Sequence, residues 1–233
     1  MQRTTILCIG LMALVDFSQA VEVEQLRLVP FPKEIRSQPG QFALGPSLVW
    51  QVPGAQREVF GRLLNDELKR ADLGAAEVRA LDSPGPAFRL STRTGSLNLP
   101  APPNQGAPEG YALEVRPNEV VCAAREPAGL LYGLQTLCQL IRANRQGDAL
   151  PCLGIRDWPS LRWRSLQDDM TRGPSSTLDT LKFEASLGAY LKMNLMTYYM
   201  EYQFAFNKHP QIGPTNGSLS AEELSALVAY AKP

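Results

Sequence analysis

Asp168 and Asp169 stand side by side, and neighbouring carboxylates are a pair that general acid–base chemistry could use. Adjacent residues on a strand point to opposite faces, so the two cannot both address one substrate unless the strand bulges. One of them is expected to line a site at the carboxyl end of a strand, the other to pack or cap locally. Arg164 sits four residues earlier, inside a strand-like run. Its planar fork suits vicinal hydroxyls or a carboxylate, and an internal ion pair with an aspartate would use it equally well. Further on, Tyr198, Tyr199, Glu201, Tyr202, Phe204 and Phe206 place one acid in a dense aromatic stretch. Aromatic faces stack on the apolar faces of sugars, and the same stretch could pack an interior or a subunit contact. His209, followed by Pro210, reads as a structural or surface histidine before a catalytic one.

Other chemistries find no support. The sequence has no phosphate-binding glycine loop, no nucleophile elbow and no zinc motif. Three cysteines, Cys122, Cys138 and Cys152, lie outside the N-terminal apolar run and lack metal-ligand spacing. They read as small buried apolar residues, with one disulfide open to an oxidising compartment. No metal and no cofactor is expected. Basic and acidic residues balance at 23 each. That balance gives no electrostatic case for nucleic acid or an anionic membrane as partner.

The elements that must position these residues fall into two stretches. Residues 21–155 read as one small α+β domain. Leu26–Val29 and Phe42–Trp50 are expected strands, Arg57–Leu73 an amphipathic helix stopped by Gly74, and Ala87–Thr92 a further strand. Leu99–Gly110 is a surface loop. Tyr111–Val115 and Val120–Ala124 form a hairpin around Arg116–Glu119, and a helix follows from Pro127. Ile155–Ser160 reads as a rigid connector. After it come a strand near Arg162, a helix over Thr177–Lys192, a strand over Leu195–Met200 and a last helix opened by Ser220 and Glu223 as a capping box. Strand, helix, strand, helix is two turns of a parallel β/α repeat.

The amino terminus carries Arg3, an apolar run from Ile6 to Val15, and Ser18-Gln19-Ala20. This is the pattern of a secretory signal cut after Ala20, too short to span a bilayer. The mature product is expected to be secreted or periplasmic, with no membrane association after cleavage.

Several runs converge on a family. Pro30-Phe31-Pro32-Lys33, Glu109-Gly110-Tyr111-Ala112-Leu113 and Pro127-Ala128-Gly129-Leu130-Leu131-Tyr132-Gly133-Leu134-Gln135-Thr136-Leu137 resemble the N-terminal domain of glycoside hydrolase family 20, the β-N-acetylhexosaminidases. Ile155-Arg156-Asp157-Trp158-Pro159 and Arg162-Trp163-Arg164 resemble that family's approach to its barrel. Asp169-Met170-Thr171-Arg172 resembles its Asp-x-Ser-Arg, and Leu191-Lys192-Met193-Asn194 its lead into the second strand. Tyr198-Tyr199-Met200-Glu201-Tyr202 departs from the usual His-x-His and resembles a divergent branch.

The resemblance implies removal of terminal β-linked N-acetylhexosamine from a glycan or glycoconjugate partner. The substrate's own acetamido oxygen would attack, an Asp would orient it, and the adjacent Glu would be the general acid. That pair belongs after a fourth barrel strand, so no catalytic residue is assigned here. Arg164, Asp169 and Glu201 are the expected substrate-binding residues. The fold expected is an α+β N-terminal domain, a sheet with two helices on one face, followed by an incomplete (β/α)8 TIM barrel of about two β/α units. The divisions are 1–20 signal peptide, 21–155 N-terminal domain and 156–233 barrel start. A full barrel takes about 250 residues, so the chain alone is expected to be an inactive fragment. A secreted carbohydrate-binding or interaction module without catalysis is the alternative. Oligomeric state is left open.

Overall fold

The computed structural model describes residues 20–83, 87–91, 98–106, 108–173, 176–214 and 217–232. The expected signal peptide lies outside them except for Ala20, as does Thr92. Seven strands build the main sheet: Glu34–Ala43 (β1), Val49–Val52 (β2), Glu77–Ala80 (β3), Ala87–Ser91 (β4), Tyr111–Arg116 (β5), Glu119–Ala124 (β6) and Ala149–Asp157 (β7). Their spatial order is β1-β7-β5-β6-β4-β2-β3, antiparallel except for β2 beside β3.

Helices Arg57–Arg70 (α1) and Pro127–Ala143 (α2) pack on each other and on the sheet around one apolar core. Trp50 and Phe88 lie ring to ring at 4.6 Å, and Leu64, Leu68, Leu130, Leu134 and Leu137 are fully buried. Each such leucine stabilises the domain by about 2 kcal/mol. Arg89, Glu114, Arg116 and Glu119 form ion pairs among themselves. The approach of α2 depends on Gly133, where an added Cβ would lie 2.5 Å from Cys122 Sγ.

Several elements depart from the sequence expectation. Leu26 and Leu28 are buried as expected, but their segment joins no strand. The side-chain amide of Asn144 hydrogen-bonds both the N–H and C=O of Arg27, and that of Gln139 does the same for Val29. One amide of α2 and one from the residue just past its end thus take the place of a neighbouring strand. The stretch expected over Phe42–Trp50 is divided between the end of β1 and the start of β2, with residues 44–48 turning between them; β1 itself starts at Glu34 and carries an irregularity between Ser37 and Gln41, where Gly40 has φ +105°. α1 stops at Arg70 because Asp72, at φ +59°, takes the left-handed position expected of Gly74. The connector expected over Ile155–Ser160 belongs in part to β7, which runs through Asp157, past the boundary expected at residue 155.

The second body holds Ser165–Asp169 (β8), Leu178–Tyr190 (α3), Leu195–Tyr199 (β9) and Ala221–Ala231 (α4). β8 and β9 pair in parallel, Ser165 opposite Leu195 through Asp169 opposite Tyr199. Met170, Leu181, Leu219 and Leu227 form its own small core, with Tyr198 and Met200 against it. Thr177 caps α3, and the expected Ser220–Glu223 capping box opens α4. Among the described residues no helix is long and apolar enough to cross a membrane. Cys122, Cys138 and Cys152 are all buried and free, as apolar filler would be.

Candidate functional site

Two clusters of polar side chains stand at opposite ends of β8. At the amino end, Arg164 donates from Nη2 to Glu109 Oε1 at 3.0 Å and from Nη1 to Glu109 Oε2 at 3.2 Å. It also donates to the carbonyls of Leu161 and Lys192, and its guanidinium lies over the Tyr132 ring at 5.2 Å. Burial pushes the Glu109 carboxyl up, but the Arg164 hydrogen bonds and charge, with donors from Tyr132 and Asn194, hold it below its ordinary value. Burial raises Tyr132 to about 12, with the Glu109 charge adding to it.

Beside this pair, Lys192 is only 5% exposed and donates to Asp157 Oδ2 at 2.9 Å and to the Tyr111 hydroxyl at 2.8 Å. Its backbone, at φ +60°, closes α3 in a Schellman turn: Lys192 N–H bonds Ala189 and Met193 N–H bonds Gly188. Glycine would fill that position with less strain. The lysine is there because its side chain reaches across into the sheet domain. These residues join the two bodies, and Arg164 is held by them.

The carboxyl end is the other cluster. Asp169 caps a single 3-10 turn, Met170–Arg172, accepting from the Thr171 hydroxyl at 2.6 Å, the Thr171 N–H at 3.0 Å and Arg172 Nε at 3.1 Å. The Thr171 bonds, with the Arg172 charge, hold its carboxyl below the ordinary carboxylate range. Asp169 is paired across the sheet with Tyr199, whose hydroxyl donates to Glu201 Oε1 at 2.6 Å and is thereby pushed up. Glu201 is left-handed, φ +43°. The Arg172 head group is solvent-facing, with one edge tied to Asp169. One end of two parallel strands therefore presents two carboxylates, a guanidinium and a tyrosine.

Asp168 parts from its neighbour as alternation requires. It lies near Glu184 of α3 and Tyr198, on the helix-packed face. Burial raises the Glu184 carboxyl and the Asp168 charge raises it further; Glu184 Oε2 and Tyr198 Oη are both buried with no hydrogen-bond partner among the described residues. His209 sits in an exposed turn. Among the described residues no group of three or more His, Cys, Asp or Glu is placed to hold a metal.

Asp169 and Glu201 are thus brought together, and Arg164 is not with them. Four intervening strand steps at about 3.3 Å each separate the ends of β8. Sequence reasoning missed Arg172 as the arginine of this end; its place directly after the Asp-x-Thr run was the available signal. It also missed Glu109, the partner of Arg164 in place of the expected aspartate.

Residues 25–158 match the family model described as Glycosyl hydrolase family 20, domain 2. The chain belongs to glycosyl hydrolase family 20. Among curated relatives, a Beta-N-acetylhexosaminidase of Cellulomonas fimi is 30% identical over 179 residues, covering 74% of this chain and 34% of that protein. A Beta-hexosaminidase of Porphyromonas gingivalis is 23% identical, covering 96% and 31%. The chain thus spans about a third of the length of these relatives. The solved Streptomyces plicatus N-acetyl-beta-hexosaminidase superposes with a TM-score of 0.69 at 22% identity, covering 91% of this chain and 44% of that one. The Flavobacterium johnsoniae chitobiase gives 0.67 at 24%, covering 91% and 33%. At these identities the structures establish the shared fold, a mixed sheet with helices.

Proposed function

We propose that the chain serves the removal of terminal β-linked N-acetylhexosamine from glycans or glycoconjugates, with Asp169, Arg172 and Glu201 forming one wall of the sugar pocket. The observation that carries this reading is the gathering of those three side chains and Tyr199 at the carboxyl end of parallel strands, on a family 20 scaffold. That is the end at which β/α barrels assemble their sites. β8, α3, β9 and α4 are read as the first two units of a (β/α)8 barrel. A Streptomyces plicatus beta-hexosaminidase has been solved with its product GlcNAc, which supports an N-acetylhexosamine as the ligand to test.

Arg172 would donate to ring hydroxyls from the guanidinium edge that Asp169 leaves open, while Glu201 would accept from them. Arg164 takes no part. The Asp-Glu pair that the family resemblance makes catalytic has no counterpart here. The single Asp-Glu step in these 233 residues, Asp66-Glu67, lies on α1, where Glu67 is ion-paired with Arg142. The 233 residues are therefore expected to bind the sugar without hydrolysing it, and the residue 1–20 segment to direct export to a secreted or periplasmic location.

Titration of the purified chain with N-acetylglucosamine by NMR tests the reading. Shifts centred on residues 169–172 and 199–202, lost in Arg172→Ala, are expected. Binding that survives both Asp169→Asn and Arg172→Ala would place the ligand elsewhere. Release of chromophore from a β-N-acetylhexosaminide would overturn the inactivity.

A further inference from the structure

Among the described residues of the second body Gln203 is the least exposed polar one, 1% exposed, although it lies in the loop after β9. Burying a side-chain amide is unfavourable unless its hydrogen bonds are remade, so a loop has no reason to sink one for packing alone. Its amide Nε2 donates to the carbonyl of Gly173, the residue directly after Arg172. The neighbouring Tyr202 leans the same way, its hydroxyl 3.5 Å from the Thr171 carbonyl.

Gln203 is itself held firmly. Its N–H bonds the Met200 carbonyl at 2.8 Å, and its own carbonyl accepts from Leu219 N–H at 3.0 Å. One end of this post is fixed to the residue just after β9 and to the segment before α4; the other grips the turn that follows β8. The left-handed Glu201 is the bend that sends Tyr202 and Gln203 back toward that turn.

The Asp169 hydrogen bonds to Thr171 and Arg172 are all local, within three residues. They shape the turn but do not tie it to anything beyond β8. We infer that Gln203 is a positioning residue: its amide on the Gly173 carbonyl fixes the 3-10 turn, so that Arg172 is held in one orientation toward the ligand end of β8 and β9. The sugar-binding consequence rests on the proposed function; the ordering of the turn does not.

The test uses the 233-residue chain and Gln203→Met, which keeps the length and removes the donor. The Arg172 Nε–Hε resonance, identified by its loss in Arg172→Lys, is expected to move to the position of free arginine. Amide exchange at Thr171 to Gly173 should rise at least about tenfold, while amides of β5 and β6 keep their protection. The dissociation constant for N-acetylglucosamine should rise severalfold. Gln203→Asn, polar but shorter, should shift the same signals partway and serves if the methionine variant does not fold. Unchanged Arg172 and turn signals in a folded variant would overturn the inference. A loosened turn in a chain whose wild type binds no sugar would uphold the positioning role and sink the sugar reading instead.

Discussion

Glu109 and Arg164 lie 55 positions apart and meet in a two-pronged ion pair, with both side chains largely shielded from solvent. The glutamate comes from the loop before β5 and the arginine from the residue before β8. Together with Lys192 and Asp157 they make the contact between the sheet domain and the β/α body a charged one.

Removing one partner of that pair strands the other. Arg164→Met is expected to cost about 2–3 kcal/mol, below the 3–5 kcal/mol of a fully buried pair because both partners keep some solvent. Urea unfolding checks this. The double variant with Glu109→Gln should recover part of the loss, and strict additivity would show that the two are not coupled.

The same junction should weaken in acid. The folded Glu109 carboxyl is held below its ordinary value, so its stabilisation is fully present above that value of 4.5. It is lost as pH falls through the lowered folded value. Protection from hydrogen exchange at Asn194 and Leu195, whose N–H groups bond the Arg164 carbonyl, should fall first on acidification. Protection independent of pH from 6 to about 3 would contradict the assignment.

Glu184 carries the opposite sign. Its raised carboxyl favours the folded state while protonated, and that contribution fades as pH rises from its ordinary 4.5 through the raised folded value. Glu184→Gln should flatten this dependence and stabilise the α3–β9 contact at neutral pH by about 1 kcal/mol or less, since the new amide can donate to Asp168. Loss of stability at neutral pH would mean that the ionised Glu184 has a partner.

Gly133→Ala should destabilise the sheet domain by about 2 kcal/mol, because the methyl group lands on Cys122 and the Tyr111 ring. Gly147→Ala, which meets no neighbour within 4 Å, should lose only what its φ of +59° demands. Thermal unfolding of the two variants separates these causes.

The hairpin from Tyr111 to Ala124 was legible because alternation and a polar turn agree, and α2 because Pro127 opens an unbroken apolar stripe. The α4 cap was legible for the same local reason. β3 was not, being a short edge strand of largely exposed residues, and β7 hid behind Pro151 and Gly154 within its run. At the site, Asp169 and its separation from Asp168 followed from strand alternation. The side of Arg164 did not: its partner Glu109 is distant in sequence, and only the fold brings the two together.

Cys122, Cys138 and Cys152 have been described as apolar filler, and burial pushes their thiols up, so in the folded chain they are chemically quiet. Unfolding reverses that. These three thiols would then become exposed together, each free to pair within the chain or to join a second one. Heating in air should therefore end in cross-linked oligomers that a reductant prevents, and the protein's durability would be set by how rarely it opens.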